Sequence, residues 1–377
     1  MRKVKVLILF GTRPEAIKLA PVVQELRRRP DRFHSLVCFS GQHRDMGLST
    51  LALFGLTPDL ELETMTPGQS LNRLTARLIG DLDTVIESER PDWLIVQGDT
   101  TTAMAGALAA FFAKVRVGHV EAGLRTHDRF SPFPEEVNRQ IASRVADLHF
   151  APTERAAANL RAEGVSAGSV MVTGNTVVDA LLWMRDRLPD APPPALGMIP
   201  SGDDPVVLVT CHRRESIGAP MERVCRAVAR LAAAFPRARF VLPVHPNPVV
   251  RATVEALLGG VKGVHLLPPL DYPDLLWCIR RSALILSDSG GIQEEAPSFR
   301  KPLLILRETT ERPEVVEARA GVLVGTDEEV IVALASRLLA DPAELEVFGE
   351  VINPFGDGKA ASRIADGLLD ASPQYPP

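Results

Sequence analysis

Short apolar runs alternate with helical patterns along this 377-residue chain, and that rhythm limits the fold more than any other feature. Val4–Phe10 precedes a helical pattern over about Pro14–Arg29, and Trp93–Gln97 precedes Thr101–Ala113, with Val115–Val120 next. Asp147–Ala151 leads into a helix ending near Glu163, and Val170–Thr173 into one starting at Val177. The spacing predicts parallel sheets with helices on both faces. The proline-rich stretch from Pro189 to Gly197 suits neither helix nor sheet. Beyond it the pattern restarts with Val206–Thr210, Arg239–Val244, Val264–Leu267, Ala283–Ser287 and Leu303–Leu306. The expectation is an α/β chain of two doubly wound, Rossmann-like domains, 1–187 and 205–358, with a linker region at 188–204. A ligand cleft is expected at the carboxyl ends of their strands, facing both domains.

A formal net charge of -5 and a pI near 6.0 exclude a general nucleic-acid or anionic-membrane surface, so phosphate binding must come from a local site. Cys38, Cys211, Cys225 and Cys278 show no metal-type spacing, and a reduced, cytoplasmic setting is the simpler reading. The basic start Arg2-Lys3 is followed by an apolar run that ends at Phe10, a first strand rather than a signal peptide. No apolar run spans a bilayer.

Polar clusters follow the strands. Ser287-Asp288-Ser289-Gly290-Gly291, after Ala283–Leu286, opens a helix whose first N–H groups can meet an anion, although an ordinary capped helix start reads the same way. Glu295, about a turn further on, could accept from ribose hydroxyls. Arg13 and Lys18 after the first strand could reach a phosphate or form a solvated first turn. Asp99 suits a helix cap as well as a catalytic acid, and Glu121 a loop acid as well as a cleft carboxylate. Glu135 and Arg139 stand four apart on one helix, which also describes a surface ion pair. His212 with Arg213 and Arg214, His245 in Pro243–Pro248, and Arg312 add cations after strands. Two histidines with Asp288 match no common zinc pattern, and no metal is expected.

Taken together these segments resemble the non-hydrolysing UDP-N-acetylglucosamine 2-epimerases. The matches are GTRPEAIKLAPV from Gly11, QGDTTT from Gln97, HVEAGLRT from His119, PEEVNR from Pro134 and GNTVVD from Gly174. HRRE from His212, PVHPNP from Pro243, SDSGGIQEEAP from Ser287 and NPFGDGKA from Asn353 continue them in order. The resemblance implies a two-domain GT-B-type fold in which the final helix, about 359–377, returns to the first domain. It implies reversible conversion of UDP-GlcNAc to UDP-ManNAc through 2-acetamidoglucal and UDP, without a cofactor, in a homodimer that serves cell-envelope polysaccharide synthesis. Arg13, Lys18, His212, Arg312 and the Ser289-Gly290-Gly291 turn would then hold the diphosphate, and Asp99, Glu121 and Glu135 would move protons, with Arg139 holding Glu135. By position, Leu270 and Leu275 would lie on the uracil side. Gln42, His43, Gln69, Arg213 and His245 match a second, activating UDP-GlcNAc site. An arginine that some relatives carry beside the matching glutamine is Gly68 here. Ser216 stands where asparagine is common, with little effect expected. The rivals are a hydrolysing relative releasing ManNAc and UDP, a GT-B glycosyltransferase, and a nucleotide-sugar sensor without turnover.

Overall fold

A computed structural model of the chain describes residues 2–42, 44–66, 68–199, 202, 204–347 and 351–371. The chain forms two compact units, Met1–Ala180 with Phe355–Pro377, and Leu181–Pro354. In the first unit the strands are β1 (Val4–Phe10), β2 (Phe33–Phe39), β3 (Leu60–Glu61), β4 (Trp93–Gln97), β5 (Arg116–Val120), β6 (Leu148–Ala151) and β7 (Val170–Val172). They form one parallel sheet in the order β3-β2-β1-β4-β5-β6-β7. The second unit holds β8 (Val206–Thr210), β9 (Arg239–Pro243), β10 (Val264–Leu267), β11 (Leu284–Ser287), β12 (Leu303–Ile305) and β13 (Val322–Leu323). Their order, β10-β9-β8-β11-β12-β13, repeats the same doubly wound plan. Each unit is therefore Rossmann-like, and the direction of winding reverses between β1 and β4 in one and between β8 and β11 in the other. In open α/β sheets, ligands bind beyond the carboxyl ends of the strands at such a reversal.

The strands next to each reversal are buried on both faces, which is why they read as unbroken apolar runs. Helix Thr101–Phe112 lies on β1 and β4 through small residues, and a Cβ on Gly106 would fall 2.3 Å from Leu9 Cδ2. That close seating fixes the turn after β4, and Thr100 caps the helix by accepting from the Ala103 N–H at 3.0 Å. In the second unit, helix Ala219–Ala234 buries Met221, Val224, Val228 and Leu231 in a core shared with Val209 and Leu286. Burial of each such side chain contributes about 1.5–3 kcal/mol. The stretch expected as a linker belongs to this unit: Leu196 and Ile199 are buried, and Arg280 donates to the Pro189 carbonyl.

The last helix, Ala360–Asp370, packs on the first unit. Asp179 accepts from the Ala360 and Ala361 N–H groups at 3.2 and 2.9 Å, meeting donors that a helix start leaves open. Burial pushes this carboxyl up to about 6 against the pull of those two bonds. Residues 372–377, included in the expected helix, lie outside the described residues. Strands β2, β3 and β13 were not expected from the sequence. The first half of β2 carries the exposed His34 and the half-buried Ser35, while β3 and β13 are two-residue edge strands. None of them has the continuous apolar signal of a buried strand.

Candidate active site

Three turns of the first unit gather polar groups at and beside its reversal point. After β1, Glu15 is 1% exposed, and its Oε2 accepts from Gly11 N–H at 3.1 Å, Thr12 N–H at 2.8 Å and the Thr12 hydroxyl at 2.7 Å. Its Oε1 accepts from the Thr100 hydroxyl at 2.6 Å. Burial pushes the Glu15 carboxyl up to about 7, outweighing the hydrogen bonds that lower it. One helical turn on, Lys18 Nζ lies 2.5 Å from Glu121 Oε2, which also accepts from Gln97 Nε2 at 2.6 Å. Glu121 is buried and adopts a φ of 62°, a left-handed conformation that non-glycine residues rarely take. It follows β5, and its carboxylate reaches Gln97 at the end of β4 and Lys18 in the helix after β1.

Asp99 follows β4, and Arg139 donates to its Oδ2 at 2.5 Å from helix Glu135–Val145. Asn138 Nδ2 donates to the Asp99 carbonyl at 2.9 Å. Arg139 also pairs with the fully buried Glu136 at 3.2 Å. The expected pairing of Arg139 with Glu135 is thus replaced by Glu136 and Asp99. Glu136 and Arg139, three apart, both lie on the buried side of the helix, whereas Glu135 sits at its first position and is only half-buried. Glu135 Oε2 is itself covered and, among the described residues, accepts no hydrogen bond. His119, inside β5, is fully buried. Burial lowers its pKa to about 3, and its Nε2–H donates to the Gly98 carbonyl at 2.8 Å, supporting the turn that carries Asp99.

The second unit builds a different kind of turn. Asp288, fully buried after β11, accepts through Oδ2 from the His212 N–H at 2.8 Å, the Arg213 N–H at 2.9 Å and the Ser216 hydroxyl at 2.9 Å. Its Oδ1 lies 3.4 Å from His212 Nδ1. The turn after β8 is thereby wrapped around one carboxylate from β11. Ser216 is 2% exposed and part of this wrap, so the residue expected to matter little is a structural member of the turn. Burial lowers the His212 pKa, with Asp288 opposing, and the His212 ring stacks on His245 at 5.8 Å between centroids.

Helix Gly290–Glu295 starts beside that turn with Ser289 at its N-cap. A Cβ on Gly290 would lie 2.6 Å from Arg312 Nη1 and 2.9 Å from Arg213 Nη2, so glycine is what lets two guanidinium groups close on the helix start. Arg312 is steered by Glu294, to whose Oε1 its Nε donates at 2.6 Å. Glu311, 3.6 Å from Arg312 Nη1, has its pKa pushed down to about 2: burial raises it, but Arg307 and Arg312 prevail. Two guanidinium groups and the open N–H groups of a helix start make a site for a phosphate or diphosphate. Arg213, placed by the sequence in a second site, therefore stands with Ser289, Gly290, Gly291 and Arg312.

Glu295 is buried at the end of this helix. Leu270 is buried and Leu275 half-buried after β10, two strands away from β8. Arg13 is half-buried at the first position of helix Arg13–Arg28. Of the second-site residues, Gln42 accepts from the Thr102 hydroxyl at 2.9 Å and Gln69 donates to the Thr64 carbonyl at 3.1 Å, both in the first unit. His43 lies outside the described residues. Among the described residues, no cluster of three or more His, Cys, Asp and Glu is arranged to hold a metal ion, and no helix is long and apolar enough to cross a membrane. The roles of Glu15, Gln97, Glu136 and Asp288 were not read from sequence; their only signal was membership of the post-strand segments.

Known proteins resemble this chain over nearly its whole length. The family model described as UDP-N-acetylglucosamine 2-epimerase matches residues 24–369. The chain is 48% identical over 370 residues to a UDP-N-acetylglucosamine 2-epimerase of Bacillus subtilis (strain 168), covering 98% of this chain and 96% of that protein. It is 47% identical over 369 residues to one of Escherichia coli (strain K12), covering 97% and 98%. The crystal structure of a UDP-GlcNAc 2-epimerase from Neisseria meningitidis bound to UDP-GlcNAc superposes with a TM-score of 0.91 at 43% identity, covering 97% of this chain and 100% of that one.

Proposed function

The chain belongs to the UDP-N-acetylglucosamine 2-epimerase family, and from that premise we propose that it interconverts UDP-GlcNAc and UDP-ManNAc by the non-hydrolysing route. The observation that carries the reading is that Asp99 and Glu121 stand after neighbouring strands at and beside one reversal point, with Glu135 opening the helix whose Arg139 holds Asp99. Asp99 and Glu121 are each held by a cation, and among the described residues nothing hydrogen-bonds to the covered oxygen of Glu135.

The sugar C2 proton has no neighbouring carbonyl to acidify it. In the proposed reaction the anomeric C1–O bond breaks first, its electron pair leaving with UDP, and the oxocarbenium-like C1 acidifies C2. A carboxylate takes the C2 proton, the C2–H electron pair becomes the C1=C2 bond, and 2-acetamidoglucal remains. Protonation of C2 from the opposite face and return of UDP to C1 give the epimer. Arg312, Arg213, His212 and the Ser289-Gly290-Gly291 turn serve the departing diphosphate, as preorganised donors aimed at developing charge. Arg13 adds a further cation. Lys18, read from sequence as a phosphate ligand, is engaged by Glu121 and serves that carboxylate first. Leu270, Leu275 and Glu295 remain the candidates for the nucleoside end.

Product analysis tests this reading. Incubated with UDP-GlcNAc, the protein is expected to yield UDP-ManNAc with the diphosphate linkage intact, read by phosphorus and proton NMR. Stoichiometric free ManNAc and UDP would instead mark the hydrolysing reaction, and an inert mixture would contradict an epimerase.

A further inference from the structure

Glu15 sits at the third position of helix Arg13–Arg28, and its bonds to the Gly11 and Thr12 N–H groups form the reciprocal cap of that helix start. Capping accounts for Oε2 alone. Oε1 is used 85 residues away in sequence, by the Thr100 hydroxyl at 2.6 Å. Thr100 adjoins Asp99, and the two turns belong to β1 and β4, neighbours at the reversal point. All four donors that the described contacts give Glu15 are N–H or hydroxyl groups, with no cation among them. A carboxyl buried without a counter-charge is costly to a fold, and a helix cap alone needs no such depth.

We propose that Glu15 is a positioning residue: it staples the turn after β1 to the turn after β4 and, through Thr100, fixes where the Asp99 carboxylate stands. The inference rests on the reading of Asp99 as a proton-transfer group. Arg139 and Asn138 hold Asp99 from the side of helix Glu135–Val145, and the Glu15–Thr100 bond holds its backbone from the side of β1. Neither Glu15 nor Thr100 needs to touch substrate for this.

The test uses Thr100→Val, Thr100→Ser, Glu15→Ala and the double variant Glu15→Ala/Thr100→Val, with kcat and UDP affinity measured on folded protein. Thr100→Val is expected to lower kcat about tenfold or more through misplacement of Asp99. Thr100→Ser, which keeps the hydroxyl, should recover kcat to within about twofold, and UDP affinity should stay within about twofold in both. Both single variants remove one staple, although Thr100→Val also removes the cap on the Ala103 N–H, so the double variant should lose less kcat than the product of the two single losses. Wild-type kcat in Thr100→Val, or losses that multiply in the double variant, would overturn the proposal. If Glu15→Ala does not fold, the valine and serine variants decide alone. Asp99→Asn is assayed beside them: normal turnover there sinks the catalytic reading itself, while an inactive Asp99→Asn with a fully active Thr100→Val sinks only the staple.

Discussion

Glu135→Gln is expected to lower turnover by roughly 10²–10⁴-fold, the range for loss of general acid–base catalysis, while UDP affinity stays unchanged. This is the cleanest of the three carboxamide substitutions. Among the described residues the covered Glu135 Oε2 accepts no hydrogen bond, so the amide disturbs no described contact there. Asp99→Asn and Glu121→Gln should fall as far, but each also weakens an ion pair: Arg139 stands 2.5 Å from Asp99, and Lys18 stands 2.5 Å from Glu121. Arg139 keeps Glu136 in the first case, yet each substitution takes one carboxylate charge away from a largely buried cation, so those two variants should also lose thermal stability. Glu135→Gln should not. Steady-state kinetics, UDP titration calorimetry and melting curves separate the effects. Near wild-type turnover in all three variants would contradict the catalytic assignment.

The second large effect belongs to Asp288. Asp288→Ala removes the acceptor shared by the His212 and Arg213 N–H groups and the Ser216 hydroxyl. At about 1 kcal/mol for each lost bond, the second unit should lose about 3 kcal/mol of stability. His212 and Arg213 both sit on the released turn, so UDP binding should weaken about tenfold or more if that turn carries diphosphate contacts. Ser216→Ala removes one donor and leaves Asp288 in place, and should show about a third of the stability loss with a small change in affinity. Calorimetric melting and UDP titration check both variants. An Asp288→Ala protein that binds UDP as tightly as wild type would show that the turn after β8 does not contribute to the anion site.

The strands flanking each reversal point, and the turns after them, were legible in the sequence because a strand buried on both faces is a continuous apolar run. Partnerships within the site were not. Arg139 and Glu135 fit the i,i+4 rule, yet the fold gives Arg139 to Glu136 on the same buried side and to Asp99, 40 residues away. Asp288 meets His212 and Ser216 across 76 and 72 residues only because β11 lies beside β8. Strand order is a property of the whole sheet, and no local pattern encodes it. Glu15 is hidden for a related reason: it reads as a helix cap, and its bond to Thr100 exists only once β1 and β4 are paired. Arg213 could not be assigned to Gly290 before the turn after β8 was seen to close on it.

The central claim is that a carboxylate of this protein removes the C2 proton of the sugar and returns a proton to the other face. Proton NMR of UDP-GlcNAc incubated with the protein in heavy water tests it most directly. The account predicts loss of the C2 proton signal from UDP-GlcNAc as UDP-ManNAc forms, with deuterium at C2 of both epimers, and formation of UDP-ManNAc slowed by roughly 10²–10⁴-fold with Glu135→Gln. Epimerisation that proceeds with the C2 hydrogen fully retained would contradict it.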